Sequence, residues 1–188
     1  VRVVDMRKEF ADQGPDAIFS GLLAQSLGER LQQREQVLVL LNRRGFAAAV
    51  LCRQCGRSLE CPNCSVSLTF HQASDRAQCH YCGYSRARPA GCPECGGSYL
   101  EQVGVGTQRV EAEIRKRWPE ARVARLDRDT AQRKGTVTRV LGRLADGELD
   151  VLVGTQMVAK GHDFPRVTLV GVVSADLGLA VADFRAAE

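Results

Sequence analysis

The sequence predicts an α/β protein in which a mostly parallel sheet is interrupted by a small cysteine-rich insert. Outside residues 52–95, short runs of valine and leucine alternate with amphipathic helical patterns. Such alternation is typical of parallel strands covered by helices on both faces. All eight cysteines of the 188-residue chain lie inside that window. We therefore divide the chain into a first part of one lobe (residues 1–51), the insert (52–95) and the remainder of the lobe (96–188).

Hydrophobic periodicity locates the elements of the lobe. We expect Val1–Val4 to be a short strand and Ser20 to cap a helix whose leucines share one face. A continuous apolar strand, Val37–Leu41, precedes the insert. Beyond the insert, Thr107 opens a helix that Pro119 ends. The remaining predicted elements are a strand near Arg122–Leu126, a helix over Val137–Leu144, and strands at Val151–Val153 and Val167–Val173.

Composition excludes several classes of protein. A hydrophobic fraction of 44% with 26% charged residues argues against disorder. No apolar run approaches the roughly 18–20 residues that span a bilayer, and no basic-then-apolar leader begins the chain. We therefore expect a cytoplasmic protein without a membrane partner. The missing initiator Met and the abrupt end at Glu188 suggest a fragment of a longer protein.

The cysteines form four Cys-x-x-Cys units, each of which places two sulfurs on one side of a tight turn. In three units the next residue is glycine, which tolerates left-handed torsions and lets amides point at the sulfurs. One unit is half of a four-thiolate zinc site, so four units predict two structural zinc ions. The absence of a secretion signal disfavours a disulfide scaffold, and a redox enzyme would use one unit rather than four.

Chain length indicates which units share an ion. Only five residues separate Cys55 from Cys61, whereas fourteen separate Cys64 from Cys79, enough for a small hairpin. The second unit is therefore paired with the third, and the first with the fourth. The predicted ligand sets are Cys52, Cys55, Cys92 and Cys95 for one ion and Cys61, Cys64, Cys79 and Cys82 for the other. This nested pairing brings the ends of the insert together, as suits insertion into a larger domain.

Eight thiolates complete two sites, so His71 and His80 are expected to be non-ligands. Thiolates and ions together lower the formal net charge of +4 to about zero. The overall charge is therefore weak evidence for nucleic-acid binding, and any such site depends on local residues.

Two loops after predicted strands carry polar chemistry. Asn42-Arg43-Arg44-Gly45 follows the strand at 37–41, and residues 154–165, from Gly-Thr-Gln-Met to Asp-Phe-Pro, follow the strand at 151–153. Functional loops of parallel sheets lie beyond the carboxyl ends of strands. Glycines, a threonine hydroxyl, amide donors and a lysine at such a turn suit contact with phosphate.

Several motifs occur in a characteristic order along the chain. They are Leu-Asn-Arg-Arg-Gly (41–45), the four cysteine units, Val-Gly-Val-Gly-Thr (103–107), Arg-Leu-Asp-Arg-Asp-Thr (125–130) with Lys134-Gly135, Gly-Thr-Gln-Met-x-x-Lys-Gly (154–161) and Asp-Phe-Arg-Ala-Ala-Glu (183–188). This combination closely resembles the PriA family of bacterial primosomal helicases, which restart stalled replication forks. The resemblance covers nearly the whole chain. It implies the second, RecA-like lobe of a 3′-to-5′ superfamily-2 DNA helicase, with a nested two-zinc insert.

The resemblance also implies roles for individual residues. Residues 42–44 match the family's fourth helicase motif, and residues 155–160 its fifth, which contacts the DNA backbone and links it to nucleotide state. Asp163, in Gly-His-Asp-Phe-Pro, resembles a residue whose carboxylate approaches the nucleotide ribose. The residues expected to contact DNA are Arg43, Arg44, Thr155, Gln156 and Lys160. The implied partners are replication forks, D-loops and single strands of DNA, single-stranded-DNA-binding protein and other primosome proteins.

The chain lacks the motifs for phosphoryl transfer. It contains no Gly-Lys dipeptide for a Walker A loop and no Asp-Glu dipeptide for magnesium, and the family's arginine-rich sixth motif is expected only after Glu188. Phosphoryl transfer needs all of these groups. We therefore assign no catalytic residue, expect ATP and Mg²⁺ to bind only with the missing first lobe, and expect no ATP hydrolysis by this chain alone.

Two other functions stay open for the insert. DnaJ-type chaperones also carry four such units, but theirs continue as Cys-x-x-Cys-x-Gly-x-Gly, and these do not. A zinc ribbon that mediates protein contacts is the other alternative, because Phe70, Tyr81 and Tyr84 could pack internally, bind a partner or stack on an unpaired base. Whether fork binding depends on exposed aromatics and arginines of the insert discriminates these functions.

Overall fold

The computed structural model describes residues 1–14, 17–41, 50–71, 74–102, 106–155, 158 and 163–175. These residues divide into two compact units. The sheet unit comprises the described residues of 18–42 and 105–175, and the cysteine unit those of 1–17 and 43–104. The helices are α1 (Met6–Gln13), α2 (Gly21–Gln32), α3 (Thr107–Arg117), α4 (Arg128–Ala131) and α5 (Thr136–Ala145). The strands are β1 (Gln36–Leu41), β2 (Val50–Cys52), β3 (Thr69–His71), β4 (Arg76–Gln78), β5 (Ser85–Ala87), β6 (Leu100–Gln102), β7 (Val123–Leu126), β8 (Val151–Thr155) and β9 (Val167–Val173).

The sheet unit is built on a four-stranded sheet of order β7-β8-β1-β9. Every neighbouring pair is parallel, with Val37 of β1 opposite both Val151 of β8 and Leu169 of β9. The parallel sheet expected from the sequence is therefore confirmed. Its two inner strands, β1 and β8, are almost entirely buried, as near-continuous apolar strands require cover on both faces.

Helices cover both faces of this sheet. Successive side chains of a strand point to opposite faces, so Val37 and Val39 pack with Leu27 of α2 and Ile114 of α3. Leu38 lies in the opposite cluster, to which α5 contributes its buried leucines. The alternation of strands and helices in the sequence thus produces the two-sided core that it predicts.

Polar groups fix the ends of these elements. The Ser20 hydroxyl accepts a hydrogen bond from the Leu23 N–H at 3.1 Å and caps α2, a contact that stabilises a helix by about 1 kcal/mol. The amide of buried Gln36 donates to the carbonyls of Leu144 and Leu149, each at 2.7 Å. These contacts tie the end of α5 to the start of β1.

The prediction of a strand at Val1–Val4 is wrong. Residues 1–5 have no regular structure, and Val1 and Val3 are exposed. The chain instead forms α1, whose first turn is capped by the Asp5 carboxylate accepting from the Arg7 N–H at 3.0 Å. The helix was missed because Phe10 is its one buried residue, and one buried position in a mostly polar segment creates no clear periodicity.

The cysteine unit consists of two small antiparallel sheets. β2 pairs with β6, placing Cys52 opposite Leu100, and β3, β4 and β5 form a three-stranded sheet. The hairpin expected between Cys64 and Cys79 is confirmed as β3–β4. Entry and exit strands lie side by side, as the nested pairing requires. The buried core contains Val50, Leu59, Leu68, Phe70, Ala77 and Leu100, together with Cys52, Cys61, Cys79 and Cys92.

Candidate metal centres

The four Cys-x-x-Cys units adopt one repeated turn. In each unit the N–H that follows the second cysteine donates to the carbonyl of the first, at 2.8–3.0 Å. The N–H of the first cysteine donates to the carbonyl five residues further on, at 2.7–2.8 Å. The donors of the first kind are Gly56, Ser65, Gly83 and Gly96. Four segments of different sequence therefore present their sulfurs in the same way.

The residue after each unit has the left-handed conformation that this turn requires. Gly56, Gly83 and Gly96 have φ of 76°, 74° and 73°, as expected from the sequence. Ser65 adopts the same conformation at φ 52°, although its Cβ is strained there. The turn is therefore imposed on the second unit rather than favoured by its sequence.

The turns converge in two groups of four sulfurs, with the predicted membership. The Sγ atoms of Cys52 and Cys95 are 3.7 Å apart, those of Cys55 and Cys92 are 3.8 Å apart, and the Cys61–Cys82 pair in the other group is 3.6 Å apart. Sulfurs about 2.3 Å from a tetrahedral zinc ion lie about 3.8 Å from one another, whereas disulfide sulfurs lie about 2.05 Å apart. The two groups fit two zinc sites with four thiolates each.

Each site lies at the boundary between the small core and solvent. The first cysteine of every unit is buried, and the second is half-buried or exposed. An ion held there joins the core to the turns at the surface. His71 and His80 belong to neither group.

Hydrogen bonds between neighbouring sulfurs shift the pKa values of the thiols in opposite directions. The Tyr84 N–H donates to Cys82 and lowers the pKa of that thiol to about 6. The hydrogen bond with Cys82, together with burial, raises the pKa of Cys64 to about 12. Sulfurs with such different pKa values retain some of their protons. A divalent ion displaces these protons when it binds, because the thiolate is the metal ligand.

Phe10 and Ala17 contact the first unit, and Phe10 also contacts Tyr99, which follows the fourth unit; the sequence did not predict this packing. Arg53, inside the first unit, donates to the carbonyl of Ala17 at 2.7 Å, and its guanidinium lies 5.8 Å from the centroid of the Phe10 ring. Phe10 meets Tyr99 edge-on, with centroids 5.2 Å apart. The Asp5 cap was a sequence signal for this helix, but nothing in the sequence indicated what it packs on.

The aromatic residues of the insert differ in exposure. Phe70 is buried, and Tyr84 packs partly buried against the same core. Tyr81 is 71% exposed. Of the three, Tyr81 alone is thus placed to meet a partner or a base.

The predicted DNA contacts are described only in part. Thr155 ends β8 and pairs with Leu41, the last residue of β1. Arg43, Arg44, Gln156 and Lys160 lie outside the described residues. Asp163 is exposed.

Two of the sequence motifs meet inside the sheet unit. Thr107, at the start of α3, donates to the buried carboxylate of Asp127, which also accepts from the Thr130 N–H at 2.9 Å. Arg125 lies 3.1 Å from the same carboxylate. Burial raises the pKa of Asp127, but the hydrogen bonds from Thr107 and Thr130 outweigh it and leave that pKa below its usual value. Residues 125–130 therefore hold α3 and α4 to the end of β7.

Among the described residues, no helix has the length and apolar character needed to cross a membrane.

Comparison with known proteins gives consistent matches. Residues 61–86 match the family described as the PriA DNA helicase Cys-rich region (CRR) domain. Relatives named Replication restart protein PriA include one from Bacillus subtilis, 47% identical over 188 residues, and one from Synechocystis, 46% identical over 192 residues; each match covers 100% of this chain and 23% of the relative. The Haemophilus influenzae protein of that name is 40% identical over 186 residues, 99% of this chain and 25% of the relative. The chain thus spans about a quarter of the length of these curated relatives.

Proposed function

Residues 1–188 belong to the PriA family, as the part of it that contains the Cys-rich region, and we propose that they form its zinc-bearing second helicase lobe. In this proposal residues 1–51 and 96–188 belong to a RecA-like lobe and residues 52–95 are the insert, while the described residues of 1–17, 50–51 and 96–102 pack with the insert in the cysteine unit. The complete protein is a 3′-to-5′ ATP-dependent DNA helicase that recognises stalled replication forks and starts primosome assembly. The observation that carries the proposal is one chain joining a parallel sheet with helices on both faces to two four-cysteine sites.

The proposed DNA surface lies at the carboxyl edge of the sheet. β1 and β8 are hydrogen-bonded neighbours, and Leu41 pairs with Thr155. Adjacent strands are about 4.8 Å apart, so Leu41 and Thr155, the last residues of the two strands, lie side by side at the same edge of the sheet. Loops that begin so close together support one shared surface. The residues proposed to contact DNA are Arg43, Arg44, Thr155, Gln156 and Lys160.

Val158 packs closely against Gly154, near the end of β8. A Cβ atom on Gly154 would lie 2.5 Å from a Val158 methyl group and 3.0 Å from the carbonyl oxygen of Leu126. Only glycine leaves that space, so residue 158 closes over the strand end. In this proposal Asp163, further along the same segment, approaches the ribose of a nucleotide that binds with the first lobe.

The test is the salt dependence of single-strand binding by the complete protein. With Arg43→Ala and Lys160→Ala together, affinity should fall similarly for all base sequences. The plot of log K against log salt should become shallower by about two units, because phosphate contacts release counterions. Arg34→Ala with Arg143→Ala is the matched control, because these arginines are exposed and precede the amino ends of β1 and β8. An unchanged slope with lowered thermal stability would instead assign Arg43 and Lys160 to ion pairs within the lobe.

We propose that ATP hydrolysis requires the complete protein. Phosphate release by residues 1–188, with single-stranded DNA present, should stay at background because the phosphate loop and acidic motif are missing from the sequence. Clean protein that hydrolyses ATP in a DNA-stimulated way contradicts the assignment of this lobe.

The insert is proposed to contact the fork, single-stranded-DNA-binding protein or other primosome proteins. Tyr81 is the residue proposed to make this contact, because it is the exposed one of the three aromatic residues that the sequence singled out. Tyr81→Ala that weakens fork binding would place the insert on DNA. Intact fork binding with loss of a partner complex would favour protein contact.

A further inference from the structure

We infer that the cysteine unit carries a third metal site, formed by His71 and His80, which binds a divalent transition ion such as Zn²⁺, Ni²⁺ or Cu²⁺. The two side chains belong to neither four-sulfur group. His71 ends β3, and His80 lies inside the third Cys-x-x-Cys unit. The site would therefore join the hairpin to the turn that supplies Cys79 and Cys82.

The donor atoms already lie at the spacing that one ion requires. The two Nε2 atoms are 3.2 Å apart, the ring centroids are 5.1 Å apart, and the ring planes are inclined by 46°. Two imidazole nitrogens about 2.0–2.1 Å from a shared ion lie roughly 2.8–3.0 Å apart at adjacent corners of an octahedron and roughly 3.3–3.4 Å apart at corners of a tetrahedron, and the observed 3.2 Å lies between these values. An ion can thus bind without moving the backbone.

Separate contacts hold each histidine in place. β3 pairs with β4 in a register that sets His71 opposite Arg76. His80 lies in a turn closed by the Gly83 N–H donating to the Cys79 carbonyl at 3.0 Å, and by the Cys79 N–H donating to the Tyr84 carbonyl at 2.7 Å. Because the fold has already ordered both backbones, little further conformational entropy is lost when an ion binds.

The surrounding charges favour a cation. Arg76, the basic residue opposite His71, donates to the Ser85 hydroxyl at 2.7 Å and to the Ser85 carbonyl at 3.1 Å. Its guanidinium is therefore directed to β5, on the far side of β4 from His71. The neighbouring site that contains Cys79 carries four thiolates around one divalent ion, a net charge of −2, which attracts a further cation.

The chemistry of this site differs from that of the four-cysteine sites. Imidazole suits zinc, nickel and copper. Among the described residues, no third histidine, cysteine or carboxylate donor completes the set, so the other positions are left to water or to an external oxygen ligand. We therefore expect weaker binding and faster exchange than at the sulfur groups.

The test uses residues 1–188 loaded with two zinc ions, titrated with Ni²⁺ by calorimetry, while the histidine ring signals are followed by NMR. One further ion should bind, and paramagnetic broadening should affect the rings of His71 and His80. The variants His71→Gln and His80→Gln should each weaken Ni²⁺ binding at least tenfold. His162→Gln, which changes the third histidine of the sequence, is the matched control and should leave the affinity unchanged.

Elemental analysis shows whether each variant keeps its two zinc ions and hence its fold. If His80→Gln loses zinc, His71→Gln decides the question, because it leaves all four units intact. Absence of a third ion in the unsubstituted protein would overturn the inference and assign the 3.2 Å contact to an N–H···N hydrogen bond between neutral rings. Ni²⁺ binding that survives when His71→Gln and His80→Gln are combined would overturn it equally.

Discussion

The two units of this chain reach a folded state by different means. The sheet unit has strands of four to seven residues and buried clusters on both faces of its sheet. The strands of the cysteine unit are three residues long, and four of the ten residues in its buried cluster are cysteines. A core of that size supplies little stability. The comparison shows hydrophobic burial organising one unit and metal coordination organising the other.

Typical free energies of side-chain burial and of zinc binding show how strongly the two units differ. Burying a leucine or valine side chain contributes about 1.5–3 kcal/mol, and these gains offset the chain entropy of the sheet unit only because many residues contribute. A structural zinc site binds with an apparent free energy of about 10–16 kcal/mol. Two such sites therefore dominate the stability of the cysteine unit.

The largest expected effect is removal of zinc. Protein purified without chelator should contain about two zinc ions per chain. A strong chelator should abolish amide-exchange protection in β2–β6, while β1 and β8 stay protected. Cys61→Ser with Cys64→Ser should leave about one zinc ion, because the ligand sets are separate. A zinc content near one, iron in place of zinc, or equal loss of protection in both units would contradict the comparison.

A core substitution in the sheet unit should have the opposite effect: it should destabilise the sheet unit and leave the zinc sites intact. Leu144 is a fully buried residue of α5, so Leu144→Ala should lower the free energy of unfolding of the sheet unit by about 2–5 kcal/mol. The zinc content should stay at two. Denaturant unfolding followed by amide exchange measures both effects. Val170→Ala, at a side chain 52% exposed, is the control and should change stability by less than about 0.5 kcal/mol. Loss of zinc from Leu144→Ala would show that the units are not independent.

The smallest expected effect comes from the residue that follows each Cys-x-x-Cys unit, which is serine in one turn and glycine in the other three. Ser65 has φ 52° where the other units have glycine, so Ser65→Gly should stabilise the cysteine unit by about 0.5–1 kcal/mol. Gly83→Ser is the reciprocal control, because space around a Cβ is open there and only backbone strain is added. It should destabilise by a similar amount. Chelator concentration at half-release of zinc measures both variants, and a shift of the same sign in both would contradict the shared turn.

Much of the metal site could be predicted, because short spacings restrict the chain. Five residues cannot readily turn Cys55 and Cys61 toward one ion, whereas fourteen allow the hairpin β3–β4 that the structure contains. Strands and helices of the sheet unit were likewise predictable. Val37 and Val39 are two residues apart in a strand, and Val110 and Ile114 are four residues apart in a helix. Both the spacing of the cysteines and the periodicity of the apolar residues follow from local chain geometry. The DNA contacts at residues 43, 44, 156 and 160 stay predictions.

The sequence by itself determined the zinc ligands, their pairing and the parallel α/β character of the lobe, because each follows from spacing along the chain. Tertiary structure alone decided the strand order β7-β8-β1-β9, the packing of Phe10 on Tyr99, and the meeting of His71 with His80. These depend on how separately formed segments pack in three dimensions. A single buried residue in α1, or a histidine at the end of a strand and another in a turn, has no periodicity or spacing that specifies its partner.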